Sequence, residues 1–168
     1  MKQLLVMRHG KSDWSAGKTD HDRPLNPRGV SSAKAMGIAL ARMGEAPDLV
    51  ISSTATRAAT TAQLAAEAGN WESDVAYNRS LYGTSAQGAL EVLLEADPAA
   101  QSVMLVGHEP TWGNLVAHLT GGAVAMKTAT VAKIDLYVRD WTEALHARGE
   151  LIFLLQPRSV RSLVDGGA

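Results

Sequence analysis

The chain is predicted to fold as an α/β three-layer sandwich, with a mostly parallel central sheet, helices on both faces and an antiparallel edge strand. Three observations predict this. Residues 4–7, 49–51 and 103–106 are short apolar runs without alternation, the pattern of strands buried on both faces of a parallel sheet. Segments of helical periodicity separate these runs, so strands and helices take turns along the chain. Residues 131–138 instead alternate, with Ala132, Ile134, Leu136 and Val138 against Val131, Lys133, Asp135 and Tyr137, as in a half-exposed strand that is antiparallel or at an edge. With 168 residues, 46% of them hydrophobic, the chain is expected to form one domain over 1–168 with a sizeable core.

The elements follow in order. The first strand is about 3–7, and residues 11–24 carry Gly, Ser and Asp with little periodicity, so they read as a loop. That loop is longer than most α/β connections, which marks it as a candidate functional segment. Asn26 caps the first helix and Pro27 opens it. Val30, Ala33, Gly37 and Leu40 give the helix a core stripe, with Met36 and Met43 beside it, and Gly44 and Pro47 end it. The second strand is about 48–52. Ser53 or Thr54 is the expected cap of the next helix, which carries Arg57 in its first turn and stops at Gly69. A short strand near 75–77 and a loop to Gly83 precede a helix capped by Thr84 or Ser85. Its apolar face is Ala89, Leu90, Leu93 and Leu94, and it ends before Asp97-Pro98. A strand at 102–106 leads into a helix with Trp112, Leu115, Val116 and Leu119 on one face, stopped by Gly121-Gly122. The alternating strand finds its partner in residues 150–156. No repeat, low-complexity stretch or linker interrupts the chain.

Composition narrows the chemistry. The chain has no cysteine, which excludes disulfides, thiolate metal sites and a cysteine nucleophile. The apolar start meets Arg8-His9 too soon for a signal peptide, and no stretch is long enough to span a bilayer, so a cytoplasmic location without membrane association is expected. The net charge of -1 hides an asymmetry: residues 1–60 hold nine Lys/Arg against five Asp/Glu, and residues 61–125 hold one against seven. That basic excess fits either an anion site or a mixed, solvated surface, and no nucleic-acid partner is expected. The glycine-rich phosphate loops GxxxxGK[ST] and GxGxxG are missing, as is GxSxG. His9, His21, His108, His118 and His146 show no metal-ligand spacing, and flanking arginines would repel a cation, so neither a metal nor another cofactor is expected.

In open α/β sheets the ligand crevice lies outside the carboxyl ends of the strands. The first strand ends in Arg8-His9-Gly10, the second leads to Arg57, and the fourth ends in Gly107-His108. Two imidazoles and two guanidiniums on one rim suit a tetrahedral oxyanion, above all a phosphoryl group. Gly10 and Gly107 would allow sharp turns and close approach of the backbone to a ligand. A lone histidine after a strand is usually a satisfied core or turn residue; two such histidines, each beside Gly or Arg, point to function. Arg8 could instead pair with Asp13 or Asp20. Arg57 lies beside the free N–H groups of a helix start, where an anion is favoured.

Arg8-His9-Gly10 after a strand, then Ser52-Ser53-x-x-x-Arg57, then Gly107-His108 resemble the histidine phosphatase, or phosphoglycerate-mutase-like, superfamily across essentially the whole chain. Compactness and the Arg23-Pro24-Leu25 segment before a helix are most similar to the small bacterial phosphohistidine phosphatases. The resemblance implies that His9 is the nucleophile that accepts the phosphoryl group, and that Arg8, Arg57 and His108 hold its oxygens, with Arg23 as an additional arginine. It implies a metal-independent phosphatase whose substrate is a phosphohistidine-bearing protein. Small phosphate esters are the alternative substrates, and a phosphate- or phosphoprotein-binding module without turnover is the non-enzymatic alternative. Oligomeric state is left open. Two departures bear on the substrate. Relatives acting on alkyl esters carry Asn soon after the RHG triplet, where this chain has Asp13-Trp14-Ser15, and residues 79–83 hold none of the acids that one branch uses there. Glu109 occupies the place where another branch keeps its acid, and reads either as a proton donor or as a helix N-terminal carboxylate. A missing acid fits a phosphoramidate, whose imidazole leaving group is less basic than an alkoxide.

Overall fold

The computed structural model describes residues 1–166. The elements run β1 (Lys2–Arg8), α1 (Pro27–Arg42), β2 (Leu49–Ser52), α2 (Thr56–Ala68), β3 (Asp74–Tyr77), α3 (Ala86–Leu93), β4 (Ser102–Gly107), α4 (Thr111–Thr120), β5 (Val131–Leu136), β6 (Gly149–Leu155) and α5 (Pro157–Asp165). The strands form one sheet in the order β3-β2-β4-β1-β5-β6. β3, β2, β4 and β1 are parallel, β5 pairs antiparallel with β1, and β6 pairs antiparallel with β5.

Register positions the site. Arg8 lies opposite Gly107 across β1 and β4, and Ser52 opposite Val106 across β2 and β4. The three strands therefore end level, and His9, Ser53 and His108 leave the sheet side by side. Alternation along each buried strand feeds two cores. Leu5, Met7, Val50, Met104 and Val106 pack with Met36 and Leu40 of α1, Ala58 and Ala62 of α2, and Val160 of α5. Leu4, Val6, Ile51, Val103 and Leu105 pack with Leu90 and Leu93 of α3 and Trp112 and Leu115 of α4. Burying the Trp112 indole leaves an N–H to satisfy, and its Nε1 donates to Met7 O at 2.8 Å. Asn26 and Ser85 cap α1 and α3 as expected, accepting from Gly29 N (2.8 Å) and Gly88 N (3.1 Å). No described helix is long and apolar enough to cross a membrane.

Three local expectations are corrected. β5 is antiparallel, as expected, but not half-exposed: β6 takes the edge, and Val131 to Ile134 are all buried. Lys133, read as solvent-facing, is 5% exposed because its Nζ meets Glu45 beyond the end of α1. Met43 is exposed because it sits at the cap of α1, past the packed stripe, and Val30 is only half-buried. The cap of α2 is Ala55 and makes no side-chain cap bond; Ser53 stands two residues earlier and accepts from Ala55 N at 3.2 Å.

Candidate active site

The site begins with the way β1 ends. His9 N donates to Gly107 O at 3.0 Å, which extends the β1–β4 ladder one step past the strand. Gly10 N donates to Thr61 Oγ1 at 3.0 Å, and the Thr61 hydroxyl donates to Arg57 O at 2.7 Å. This ties the turn after His9 to the first turns of α2, and so fixes Arg57 relative to His9. Both glycines sit at close packing contacts. A Cβ on Gly10 would stand 2.8 Å from Gly29 O at the start of α1, and one on Gly107 would stand 2.6 Å from Trp112 Cζ2.

His9 is 7% exposed. Its Nδ1 lies 2.6 Å from Gly10 O. A carbonyl only accepts, so Nδ1 carries the proton and Nε2 keeps its lone pair. Arg57 Nε donates to that Nε2 at 3.4 Å. Burial pushes the His9 pKa down to about 3 against the Gly10 bond, with His108, Arg57 and Arg8 adding to the depression. The His108 ring centroid is 5.3 Å away. Its Nε2 is 2.8 Å from Ser53 Oγ, and its Nδ1 is buried without a partner. Burial, then Arg57, brings the His108 pKa to about 4. Both imidazoles are thus neutral at physiological pH.

The cations close the site. Arg8 Nη1 donates to Met126 O at 3.0 Å, and its buried Nε has no partner. Arg8 pairs with neither Asp13 nor Asp20. Asp20 serves the other two arginines: its carboxylate accepts from Arg23 Nη1 (2.8 Å), Arg57 Nη2 (3.2 Å) and the Tyr82 hydroxyl (2.5 Å), while its carbonyl accepts from Arg57 Nη1. The Tyr82 bond and the two arginines hold the Asp20 carboxyl well below the usual carboxylate range, against a smaller opposing effect of burial. Arg23 Nε also donates to Ser12 Oγ at 2.9 Å, and its guanidinium stacks 3.7 Å from the Trp14 ring centroid. Glu109 Oε1 accepts from Gly113 N at 2.6 Å in the first turn of α4, the helix N-terminal arrangement. Arg8, His9, Trp14, Arg23, Arg57, His108 and Glu109 all line one cavity of about 460 Å³.

The predicted site residues Arg8, His9, Arg23, Arg57, His108 and Glu109 all line this cavity, and three residues without a predicted role in the site adjoin them. Asp20 had a visible signal, its i,i+3 spacing from Arg23 in a long loop. Ser53 was noted as a helix cap and as part of the Ser52-Ser53-x-x-x-Arg57 motif, without a role in the site. Tyr82 had none; it packs edge-on against His108 at 5.6 Å from the segment before α3. Among the described residues no three His, Asp or Glu side chains gather as a metal-ligand set.

Chemically, the guanidiniums can hold a tetrahedral oxyanion, and an unprotonated imidazole nitrogen beside them can attack its central atom. An α/β sheet with two histidines and an arginine-lined cavity at its carboxyl edge is the class of protein that fold and geometry define. Residues 4–81 match the model of the histidine phosphatase superfamily, branch 1. An uncharacterised protein of Mycobacterium leprae is 33% identical over 119 residues, covering 68% of this chain and 71% of that protein. Two solved structures, provisionally named phosphohistidine phosphatase SixA, superpose with a TM-score of 0.78 each. The one from Agrobacterium tumefaciens is 30% identical and covers 93% of this chain and 98% of its own; the one from Nakamurella multipartitia is 29% identical and covers 93% and 96%. The chain belongs to the histidine phosphatase superfamily.

Proposed function

We propose that the chain is a metal-independent phosphatase that works through a phosphohistidine enzyme intermediate and removes phosphate from phosphohistidine in proteins. The observation that carries this is the state of His9: Nδ1–H is committed to Gly10 O, and a depressed pKa leaves Nε2 unprotonated beside Arg57. Nε2 attacks phosphorus, the bond from phosphorus to the substrate imidazole breaks, and that imidazole keeps the electron pair and takes a proton from solvent. Arg8, Arg57 and His108 hold the phosphoryl oxygens as charge develops, and Arg23 neutralises charge from the rim. Water then attacks phosphorus, the bond to Nε2 breaks, and inorganic phosphate leaves with His9 again neutral. No cofactor enters the scheme, and the donor is the partner protein. The Glu109 carboxylate is already engaged by Gly113 N, which supports a substrate whose leaving group needs little protonation. Because Glu109 also lines the cavity, turnover of small phosphate esters with Glu109 as proton donor is the second reading.

The test is single-turnover reaction with a labelled phosphohistidine protein. Acid-labile, base-stable label should appear on His9, and His9→Ala should lose at least about 10⁴-fold in turnover, the scale of a removed nucleophile. Retained activity in His9→Ala would refute the mechanism, and a bound label that never turns over would favour the binding module.

A further inference from the structure

Trp14 is 80% exposed, the most exposed large apolar side chain of the described residues. It is not loosely held. Ser15 N and Ser15 Oγ both donate to Asp13 Oδ1 (2.9 and 2.6 Å), pinning the turn that carries the ring. Asp13 N donates to Pro24 O at 2.8 Å, and Ser12 bridges to Leu25, closing the base of the loop. One face of the indole lies on the Arg23 guanidinium, and Arg23 is itself buried and tethered to Ser12 and Asp20. Through Asp20 and Arg57 that tether reaches His9 Nε2. The ring thus lines the cavity of the reacting nitrogen while most of its surface remains in water, at the hydrophobic cost of an exposed aromatic.

Resting on the proposed function, we infer that Trp14 is a specificity-determining residue whose open surface stacks the ring of the leaving group. The class it selects is a phosphoryl donor with a flat π-bearing leaving group, the imidazole of phosphohistidine foremost, over a donor of equal P–N chemistry without a ring. An imidazole that gains a proton as it leaves gains further from the indole face. The Arg23 guanidinium supports one face of the ring. The basic groove beside this cavity, around Lys11, Arg28, Lys127 and Arg158, offers charge but no comparable geometry.

The experiment compares kcat/KM for N-acetyl phosphohistidine with that for phosphoramidate, in the wild type, Trp14→Leu and Trp14→Phe. The ratio of ring to ringless donor should fall about tenfold in Trp14→Leu and recover most of its value in Trp14→Phe, an offset aromatic pair being of that order. Losses of equal size on both donors would overturn the inference and leave Trp14 as a brace for Arg23; so would an unchanged ratio. Orthovanadate affinity, measured calorimetrically on the same variants, checks that the Arg23 site survives. Should the wild type turn over phosphate esters but neither P–N donor, the proposed function fails while the inference is read from phenyl against methyl phosphate, where the same ratio must fall in Trp14→Leu.

Discussion

Asp20 places a carboxylate among groups that the mechanism assigns to an incoming oxyanion, and replacing it measures what that carboxylate does. Its oxygens occupy Arg23 Nη1 and Arg57 Nη2, donors a phosphoryl group would want. Asp20→Asn keeps the shape and removes the charge. Repulsion between a bound anion and a carboxylate about 5 Å away is about 1–3 kcal/mol for effective dielectrics between those of water and a protein surface. The Asp20 side chain is 54% exposed, so the lower part of that range applies, equivalent to roughly tenfold in affinity. The arginines would not fall away with the charge. Arg23 Nε stays on Ser12, and Arg57 Nη1 stays on the Asp20 main-chain oxygen. Orthovanadate or phosphate should therefore bind about tenfold more tightly to Asp20→Asn, with the gain shrinking in high salt. Stability should change by less than about 1 kcal/mol, as for half-exposed pairs. Isothermal titration calorimetry and a denaturant melt read both quantities. Weaker anion binding in Asp20→Asn would refute the reasoning and make Asp20 an organiser of the arginines rather than their resident counter-charge.

Three further outcomes are expected. His9 and His108 are held at about 3 and about 4, below the ordinary 6.5, so imidazole NMR should find both rings neutral at pH 5.5, and a His9 titration near 6.5 would refute the assigned state. Since the unfolded chain then binds protons first as pH falls, unfolding free energy contributed by these rings should decline from about pH 6.5 towards 3. Glu109→Gln should cost little on a phosphohistidine protein; a loss of about 10²–10⁴-fold on an alkyl phosphate that the wild type hydrolyses briskly would establish Glu109 as a general acid and favour the ester reading. Gly107→Ala should destabilise by about 1–3 kcal/mol in denaturant melts, the cost of overpacking, because its Cβ would enter the buried Trp112 ring.

What could be read from the sequence was what is local. A buried parallel strand announces itself by an apolar run, and the residue just past its end must lie on the crevice side of the sheet. Arg8, His9, His108 and the first turn of α2 followed from that alone. The alternation of β5 misled because the polar face of an alternating strand is assumed to meet water, and here the half-buried Glu45 supplies the buried Lys133 with a partner from 88 residues away. The glycines beside the histidines were recognised as tight places, but that the starts of α1 and α4 press on them is set by the tertiary fold.

The loop after β1 was marked by its length and by Arg23, but the way it joins the site was not legible. Its polar, aperiodic composition reads as a connection, and each of its side chains has an ordinary surface explanation when taken singly. What makes it part of the site is closure: Ser12 against Leu25, Asp13 on Pro24, and then Asp20 reaching 37 residues to Arg57 and 62 to Tyr82. None of these pairings has a periodicity to betray it, since a loop has no repeating face. Only the i,i+3 step from Asp20 to Arg23 is short enough to be visible. A carboxylate in such a loop invites the reading that it neutralises the nearest arginine in sequence. The fold gives Asp20 to that arginine and also to the one that touches the reacting nitrogen, and leaves Arg8 without a carboxylate partner for its buried Nε. An unpaired buried guanidinium donor costs stability unless something arrives to satisfy it. Arg8, next to His9 and already bound to one main-chain oxygen, is therefore the arginine whose remaining hydrogen-bonding capacity an oxyanion would complete.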